Sequence, residues 1–314
     1  MDPRLRAVAQ CRGDVVTAAQ AAAVDVDEHG LVRLTRDGHL VRVRRGAYVL
    51  GDAWRHADEQ SRMALRAKAV LATRSARTVA SHEAALALHR LPVDGRWPEV
   101  VDLLADVSRV RLVGGARLHP RGDLEPVVVD GFRATPVDVS IAQVALRSGL
   151  LAGMVPFDAA LHARRVVAAG VEQALRTRAG APGQRRLAEQ LLARADAACE
   201  SVGETRTRLL LADLGFAARS QVEVRDELGV LVARVDFLVG DRVVVEFDGA
   251  VKYEGAQGRA ALVAEKRRED RLRALGYTVV RVTWADLAHP GRLSALIRRA
   301  LTQNLPHGAR APAS

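Results

Sequence analysis

The sequence predicts a multidomain α+β protein, and three observations support that prediction. The chain has 314 residues, more than one ordinary domain holds. Short helical patterns run into a basic hairpin near its start, and valine-rich strands alternate with charged helices near its end. We expect a winged helix-turn-helix at 1–54, a mixed α/β region at 55–198, an α/β domain with a mixed sheet flanked by helices at 199–303, and a disordered tail at 304–314.

The charge balance favours a polyanionic partner. The formal net charge is +10, which suits nucleic acid better than an anionic membrane, although a solvated basic surface would give the same count. No apolar run reaches the ~18 residues that a membrane-spanning helix needs. Cys11 and Cys199 are too far apart in sequence to suggest a disulfide framework or a metal-ligand pair. We therefore expect a cytoplasmic protein that binds DNA and no membrane.

The first fifty residues predict three short helices and a hairpin. Thr17 suits the N-cap of the second helix, and Asp25 or Asp27 that of the third. The segment HLVRVRRGAYVL then alternates polar and apolar residues around a turn, as the basic wing of a winged helix does. A small helical domain with a solvated basic hairpin is the alternative. The expected DNA contacts are Arg33 and Arg36 on the third helix and Arg42, Arg44 and Arg45 on the wing.

The same stretch resembles a known family of regulators. Over roughly residues 3–50, and most clearly in DGHLVRVRRGAYVL, it is similar to the N-terminal domain of AbiEi-family antitoxins and related regulators. The resemblance implies a DNA-binding regulator and, as a partner, a cognate toxin or a repair or defence protein.

The middle region gives fewer signals. Its patterns predict short strands between 98 and 134 and helices at 57–74, 80–90, 137–148, 155–178 and 184–199. His82 and Glu83 in SHEAALALH begin like a zinc-binding HExxH helix, but Leu86 stands where the second histidine would be, so we interpret this segment as a structural helix. The phrase also resembles the region after the winged helix in AbiEi-like proteins, which suggests a spacer or a dimerisation element.

The C-terminal region follows the order α-β-β-β-α-β-α. In VVVEFDG, Val244, Glu246 and Asp248 alternate onto one face of a strand, opposite Val243, Val245 and Phe247. A three-residue turn at 240–242 would pair Asp236 with Glu246, whereas a two-residue turn would send Glu246 to the other face. We predict the three-residue turn.

Two carboxylates on a half-buried face need a compensating charge. Desolvation and mutual repulsion both destabilise them, and a hard divalent cation such as Mg²⁺ or Mn²⁺ would relieve both. The alternative is an ion pair with Arg234 or with arginines of the long helix that follows.

Residues 200–288 resemble the PD-(D/E)XK nuclease superfamily, in the branch related to very-short-patch-repair (Vsr) endonucleases. The resemblance rests on an ordered set: Glu204 with Arg208, Gln221, VDF at 235–237, VEFDG at 245–249, the helix at 259–275 and GYTVVR at 276–281. It implies a restriction-endonuclease-like fold in which Asp236, Glu246 and Glu204 bind Mg²⁺. Asp248 stands where the superfamily has lysine, and Lys252 where the branch has histidine. Lys252 or Lys266 would then replace the missing lysine, and Lys266, Arg267 and Arg271 would hold the DNA backbone.

Two functional hypotheses follow. The first is a DNA-binding protein with a Mg²⁺-dependent endonuclease domain that hydrolyses phosphodiesters. The second is an antitoxin-like transcriptional regulator whose nuclease fold is catalytically silent, as the substitution at Asp248 suggests. The residues leave open whether the nucleic acid is DNA or RNA, and whether the chain is itself a toxin component.

Overall fold

The computed structural model describes residues 1–249 and 255–303, and for 255–263 it describes the backbone alone. The chain divides into two compact units, Met1–Ala195 and a second that begins at Asp196. The expected boundary at 54/55 therefore falls inside the first unit and stays a prediction. The expected tail at 304–314 lies outside the described residues.

The first fifty residues form helices packed on a small antiparallel sheet. Their elements are α1 (Pro3–Gln10), β1 (Val15–Thr17), α2 (Ala18–Ala22), α3 (Glu28–Arg36), β2 (Leu40–Arg44) and β3 (Ala47–Leu50). Thr17 caps α2 in a capping box with Gln20, and Asp27 caps α3, as the sequence predicts. The patterns missed β1, which pairs with β3 in a sheet of order β1-β3-β2, because three consecutive buried residues show no alternation.

The rest of the first unit surrounds a six-stranded mixed sheet of order β6-β7-β5-β4-β9-β8. Before and within the sheet come α4 (Gly51–His56), α5 (Glu59–Leu71), β4 (Val79–Ala80), α6 (His82–Leu88), β5 (Val101–Ala105), β6 (Arg111–Val113), β7 (Ala116–Pro120), β8 (Val127–Val129) and β9 (Phe132–Ala134). Leu65 and Ala69 of α5 join the buried cluster of Val15 and Val49. Residues on both sides of position 54 thus share one core.

Four helices complete the first unit: α7 (Val137–Ser148), α8 (Leu150–His162), α9 (Ala168–Arg176) and α10 (Pro182–Ala193). The helix predicted at 137–148 is confirmed. The single helix predicted at 155–178 is wrong, because the chain breaks between α8 and α9, where Arg164 adopts a left-handed backbone with φ of 54°. The helix predicted at 184–199 ends earlier, at Ala193.

The second unit has the predicted order with one added short helix. It comprises α11 (Val202–Asp213), β10 (Ala218–Arg225), β11 (Leu231–Val239), β12 (Val243–Phe247), α12 (Gly255–Ala274), β13 (Thr278–Val282), α13 (Trp284–Leu287) and α14 (Pro290–Gln303). The sheet order is β10-β11-β12-β13, with the first two pairings antiparallel and the last parallel. The mixed sheet flanked by helices is therefore confirmed.

Helices cover this sheet on both faces. Val243 and Val245 pack in a cluster with Leu211 of α11 and Ile297 of α14. Val244 packs on the other face with Leu272 of α12. The three consecutive valines are all buried because each face of the strand packs against its own core.

Candidate functional site

The strand pair that carries the two acids has the predicted register. Val239 pairs with Val243 and Phe237 with Val245 across the three-residue turn. Continuing this register by one pair places Asp236 opposite Glu246, on the face of the sheet that α12 covers. The prediction from turn parity is thus confirmed.

Asp236 lies in an environment that favours its protonated form. Burial raises its pKa to about 6, and the charges of Glu204 and Glu246 add to the increase. The backbone N–H of Phe247 donates to Asp236 Oδ2 over 2.8 Å, and this bond and the charge of Arg268 oppose the increase without cancelling it. Asp236 therefore titrates near neutral pH, as functional carboxylates often do.

Glu246 has an arginine directly against it. Both of its carboxylate oxygens lie 2.9 Å from the guanidinium nitrogens of Arg268 on α12, and the side chain is buried. The same guanidinium reaches Glu265 over 2.8 Å. This is the ion pair with the long helix that the sequence left open as the alternative to a metal.

Glu204 reaches the acid pair from an unexpected side. Its helix, α11, packs on the face of Phe247, where Gly203 gives the ring room: a Cβ at that position would lie 1.9 Å from Phe247 Cε1. Helix α11 therefore lies on the opposite face of β12 from Glu246. Gln221 Nε2 donates to Glu204 Oε2 over 2.9 Å, and Ser201 Oγ donates to Oε1 over 2.7 Å. Glu204 is thus close enough to raise the pKa of Asp236, but its oxygens already have donors.

Asp248 belongs to an ion-pair network with the helix. Arg281 of β13 lies 3.9 Å from Asp248 and donates to Glu265 and Glu269 at 2.7 and 3.0 Å. At the position where the resemblance to PD-(D/E)XK nucleases implies a lysine, this chain has a carboxylate 3.9 Å from an arginine. Lys252 lies outside the described residues. A cavity of about 210 Å³, lined by Asp236, Glu246, Asp248, Glu265, Arg268 and Arg281, opens between these groups.

The donors suit Mg²⁺ in kind but not in arrangement. Carboxylate oxygens are the ligands that Mg²⁺ prefers. Arg268, however, binds both oxygens of Glu246, and Glu204 is held by Ser201 and Gln221. Among the described residues, the carboxylates of Asp236, Glu246 and Glu204 do not form a group of ligand atoms all within 4.8 Å of one another. A metal here would first have to displace Arg268.

The outer face of α12 carries the cations that the sequence assigned to DNA. Lys266, Arg267 and Arg271 are exposed and form no ion pair with other described residues. Glu265 and Glu269 pair with other arginines of this helix, Arg268 and Arg273. Some basic residues of the helix thus form ion pairs within the protein, and the others are exposed to solvent.

The expected DNA contacts in the first unit separate in the same way. Arg33, Arg36, Arg42 and Arg45 are exposed. Arg44 differs: its Nε and Nη1 are buried without a hydrogen-bond partner among the described residues, and a Cβ on Gly114 would lie 3.2 Å from its guanidinium. Arg44 therefore points at the rest of the unit instead of lying open on the hairpin surface.

A second polar cluster was missed by the sequence analysis. His82, Asp102 and His119 offer ligand atoms within 4.8 Å of one another, and Arg147 and Glu83 adjoin them. They come from α6, β5, β7 and α7, so no local spacing reveals them. His82 and Glu83 match the start of an HExxH motif, but Leu86, at the position of the second histidine, is a core residue.

One family model matches the first unit. Residues 3–51 match the model of the AbiEi antitoxin, a transcriptional regulator. The matched segment is the part of the chain that holds α1 to α3 and the β2–β3 hairpin. No curated protein matches the chain. In the part of the chain that the structure describes, no helix has the length and apolar character to cross a membrane.

Proposed function

We propose that the protein is a DNA-binding transcriptional regulator of the AbiEi antitoxin type, and that residues 1–54 form a winged helix-turn-helix. The observation that carries the proposal is the coincidence of the family match at 3–51 with a helix that presents exposed basic residues beside a basic hairpin. As for antitoxins in general, the partner would be a cognate toxin.

The third helix has the surface that reading a groove requires. Leu31 is buried in the core of the small domain, while Arg33 and Arg36 point outward. Val32 is 60% exposed on this basic face, where an apolar side chain suits the methyl group of thymine. Arg42 and Arg45 on the hairpin would bind phosphates of the backbone.

Duplex DNA binding tests this proposal directly. Fluorescence anisotropy with a pool of random duplexes at 50–200 mM salt measures the affinity and its salt slope. Arg33→Gln, Arg36→Gln and Arg42→Gln should each weaken binding by roughly two- to tenfold and lower the slope by about one. Arg176→Gln, at an exposed residue of α9, is the matched control. If the folded protein bound no duplex at 50 mM salt, the proposal that it is a DNA-binding regulator would be refuted.

The second candidate is Mg²⁺-dependent phosphodiester hydrolysis in a PD-(D/E)XK (Vsr-like) domain at 199–303. It is favoured by the register that brings Asp236 and Glu246 together and by the raised pKa of Asp236. Asp236, Glu246 and Glu204 would hold Mg²⁺ or Mn²⁺, which would activate water and stabilise phosphate charge. Lys252 or Lys266 would substitute for the missing lysine, and Lys266, Arg267 and Arg271 would hold the nucleic acid.

An assay with supercoiled plasmid distinguishes an active nuclease from a catalytically silent fold. Wild type, Asp236→Ala and Glu246→Ala are incubated with Mg²⁺, Mn²⁺ or EDTA, and nicking is scored on a gel. Metal-dependent nicking that both substitutions abolish would establish the nuclease. An absence of nicking by a preparation that binds DNA would leave the regulator with a catalytically silent fold.

A further inference from the structure

We propose that a cavity in the first unit binds a small organic phosphate of nucleotide size. The cavity measures about 430 Å³ and is lined by residues of β5, β7, α7 and the segments after β7 and α9. A volume of several hundred Å³ is typical of small-molecule sites. This site is separate from the acid pair of the second unit and does not depend on the proposed DNA binding.

The lining is cationic and contains no carboxylate. Arg121, Arg147 and Arg178 reach it together with His82 and His119. Glu83 and Asp102 lie behind the wall, where Arg147 pairs with both. An anionic group that enters the cavity therefore meets guanidinium and imidazole groups without facing an acid, which is the environment that phosphate selects.

Two of the arginines form no ion pair with another described residue. Arg178 Nη1 donates to neutral oxygens, Ala174 O at 3.0 Å and Thr177 Oγ1 at 2.9 Å. Burial lowers the pKa of Arg178, and the charge of Asp138 opposes this decrease without cancelling it. Arg121 Nε is buried without a hydrogen-bond partner among the described residues. A half-buried guanidinium without a counterion is destabilised, and a bound phosphate would relieve this cost at both positions.

The lining also contains apolar side chains. They are Leu104, Leu124 and Leu146, together with Pro120. Inorganic phosphate alone would leave these side chains in contact with water. A ligand with an anionic end and a flat or apolar body, such as a nucleoside monophosphate, would contact both the cationic and the apolar groups.

The histidines are held in place before any ligand arrives. His119 Nε2 donates to Asp102 Oδ1 over 2.7 Å, and its ring stacks on that of His82 at a centroid distance of 4.5 Å. His82 has a left-handed backbone with φ of 52°, and its N–H donates to Gln143 Oε1 over 3.1 Å. Strained residues fixed in this way cluster at binding sites. Burial lowers the pKa of His82 to about 3, so it offers a neutral imidazole to the cavity.

A metal ion is the competing ligand for the same histidines. His82, Asp102 and His119 are the group of ligand atoms within 4.8 Å that the described residues contain. Arg147 Nη1, however, lies 2.9 Å from Asp102 Oδ2, where a cation bound to that carboxylate would meet a guanidinium. The charge of the wall therefore favours an anion.

Isothermal titration calorimetry of the full chain tests the proposal with AMP, GMP, inorganic phosphate and Zn²⁺ as separate probes. We expect saturable binding of a nucleotide that is tighter than that of inorganic phosphate. Arg178→Gln and Arg121→Gln should each weaken nucleotide binding about tenfold, because each removes a charged hydrogen-bond donor. Arg176→Gln, at the last residue of α9 and two residues before Arg178, replaces an arginine that pairs with Glu172 at the surface and should leave binding unchanged.

Three outcomes would overturn the proposal. The first is an absence of saturable binding by every phosphate probe up to 10 mM, with circular dichroism showing a folded chain. The second is nucleotide binding that Arg178→Gln and Arg121→Gln leave unchanged, which would place the ligand elsewhere. The third is tight Zn²⁺ binding lost in His119→Gln with no phosphate binding, which would make the cluster a cation site. Unchanged duplex affinity of Arg178→Gln is also expected, and a loss would assign these arginines to the DNA backbone instead.

Discussion

In each unit one arginine contacts two acids, but the pKa of the buried aspartate in that cluster shifts in opposite directions. In the first unit, Arg147 contacts Asp102 and Glu83 together. Burial alone would raise the pKa of Asp102, but the hydrogen bond from His119 and the charge of Arg147 outweigh it and lower the pKa to about 2. In the second unit, Arg268 contacts Glu246 and Glu265, and no cation among the described residues forms an ion pair with Asp236. Burial therefore raises the pKa of Asp236 to about 6.

The difference lies in the direct contact and not in burial. A carboxylate bonded to its own guanidinium stays ionised and stabilises the fold at neutral pH. One that only neighbours such a pair can change its protonation state under physiological conditions. The comparison therefore assigns a structural role to Asp102 and a titratable one to Asp236.

Removal of Arg147 should have the largest effect on stability. Arg147→Met removes the arginine that contacts buried Glu83 and one of the two arginines beside buried Asp102, which keeps Arg117 at 3.4 Å. Removal of one partner of a buried ion pair typically costs about 3–5 kcal/mol. Thermal and urea unfolding, monitored by circular dichroism, should show a large decrease in the free energy of unfolding of the first unit. Arg176→Met removes an exposed pair with Glu172 and should cost under about 0.5 kcal/mol. Equal losses in the two variants would mean that Arg147 contributes no more than a surface arginine.

Removal of Arg268 should have an intermediate effect on stability. It should also make the carboxylates of Asp236 and Glu246 accessible to a metal ion. Arg268→Met leaves Glu246 buried without its partner, while Glu265 keeps Arg281, so we expect a loss of about 2–3 kcal/mol. Because the guanidinium then no longer blocks the acids, 10 mM Mg²⁺ should raise the Tm of this variant and leave that of wild type unchanged.

Arg273→Met provides the matched control for this test. Arg273 is on the same helix but pairs with Glu269 at the surface, with 60% of its side chain exposed. Its Tm should resemble that of wild type with and without Mg²⁺. If Mg²⁺ raised the Tm of wild type as much as that of Arg268→Met, the acids would bind the metal with Arg268 present, and the active nuclease would be favoured.

The two clusters also differ in how far the sequence could predict them. Asp236 and Glu246 lie on strands joined by a short turn, so the parity of the turn predicted their register in advance. The turn at 240–242 and the pairing of Val239 with Val243 are confirmed. The predicted role of Asp236 and Glu246 as metal ligands stays a prediction, because the sequence did not show which cation of α12 would face Glu246. Arg268 occupies that position because it shares the inner face of the helix with Leu272, four residues on.

The first unit shows what local patterns do not contain. Asp102, His119 and Arg147 come from separate elements that meet only through the order of the six-stranded sheet. A single carboxylate in the apolar strand VDLLA was the available signal, since a buried acid requires a partner. The burial of Arg44 Nε and Nη1 was not predicted, for a related reason. The alternation of residues along the hairpin indicates which face of the strand Arg44 lies on, but it does not show which other element packs against that face.

Of these substitutions, replacement of Asp236 should change the stability least, and its effect on stability should depend most clearly on pH. Its folded pKa of about 6 is above the unfolded value of about 3.9, so the folded state binds the proton more tightly. The stability it contributes is present below pH ~4 and is lost as pH rises through 6. Asp236→Asn keeps an oxygen to accept the Phe247 N–H and should stabilise the second unit at pH 8 by on the order of 1 kcal/mol, after allowance for partial solvent screening.

The measurement is the difference in Tm between Asp236→Asn and wild type at pH 5 and pH 8. We expect this difference to grow with pH, because wild type alone has to hold a charged carboxylate beside Glu204 and Glu246 at the higher pH. Asp241→Asn, at the exposed turn of the same hairpin, should show a difference that does not change with pH. A flat difference for Asp236→Asn as well would show that Asp236 is ionised across this range. Asp236 would then resemble Asp102, and the contrast between the two clusters would be removed.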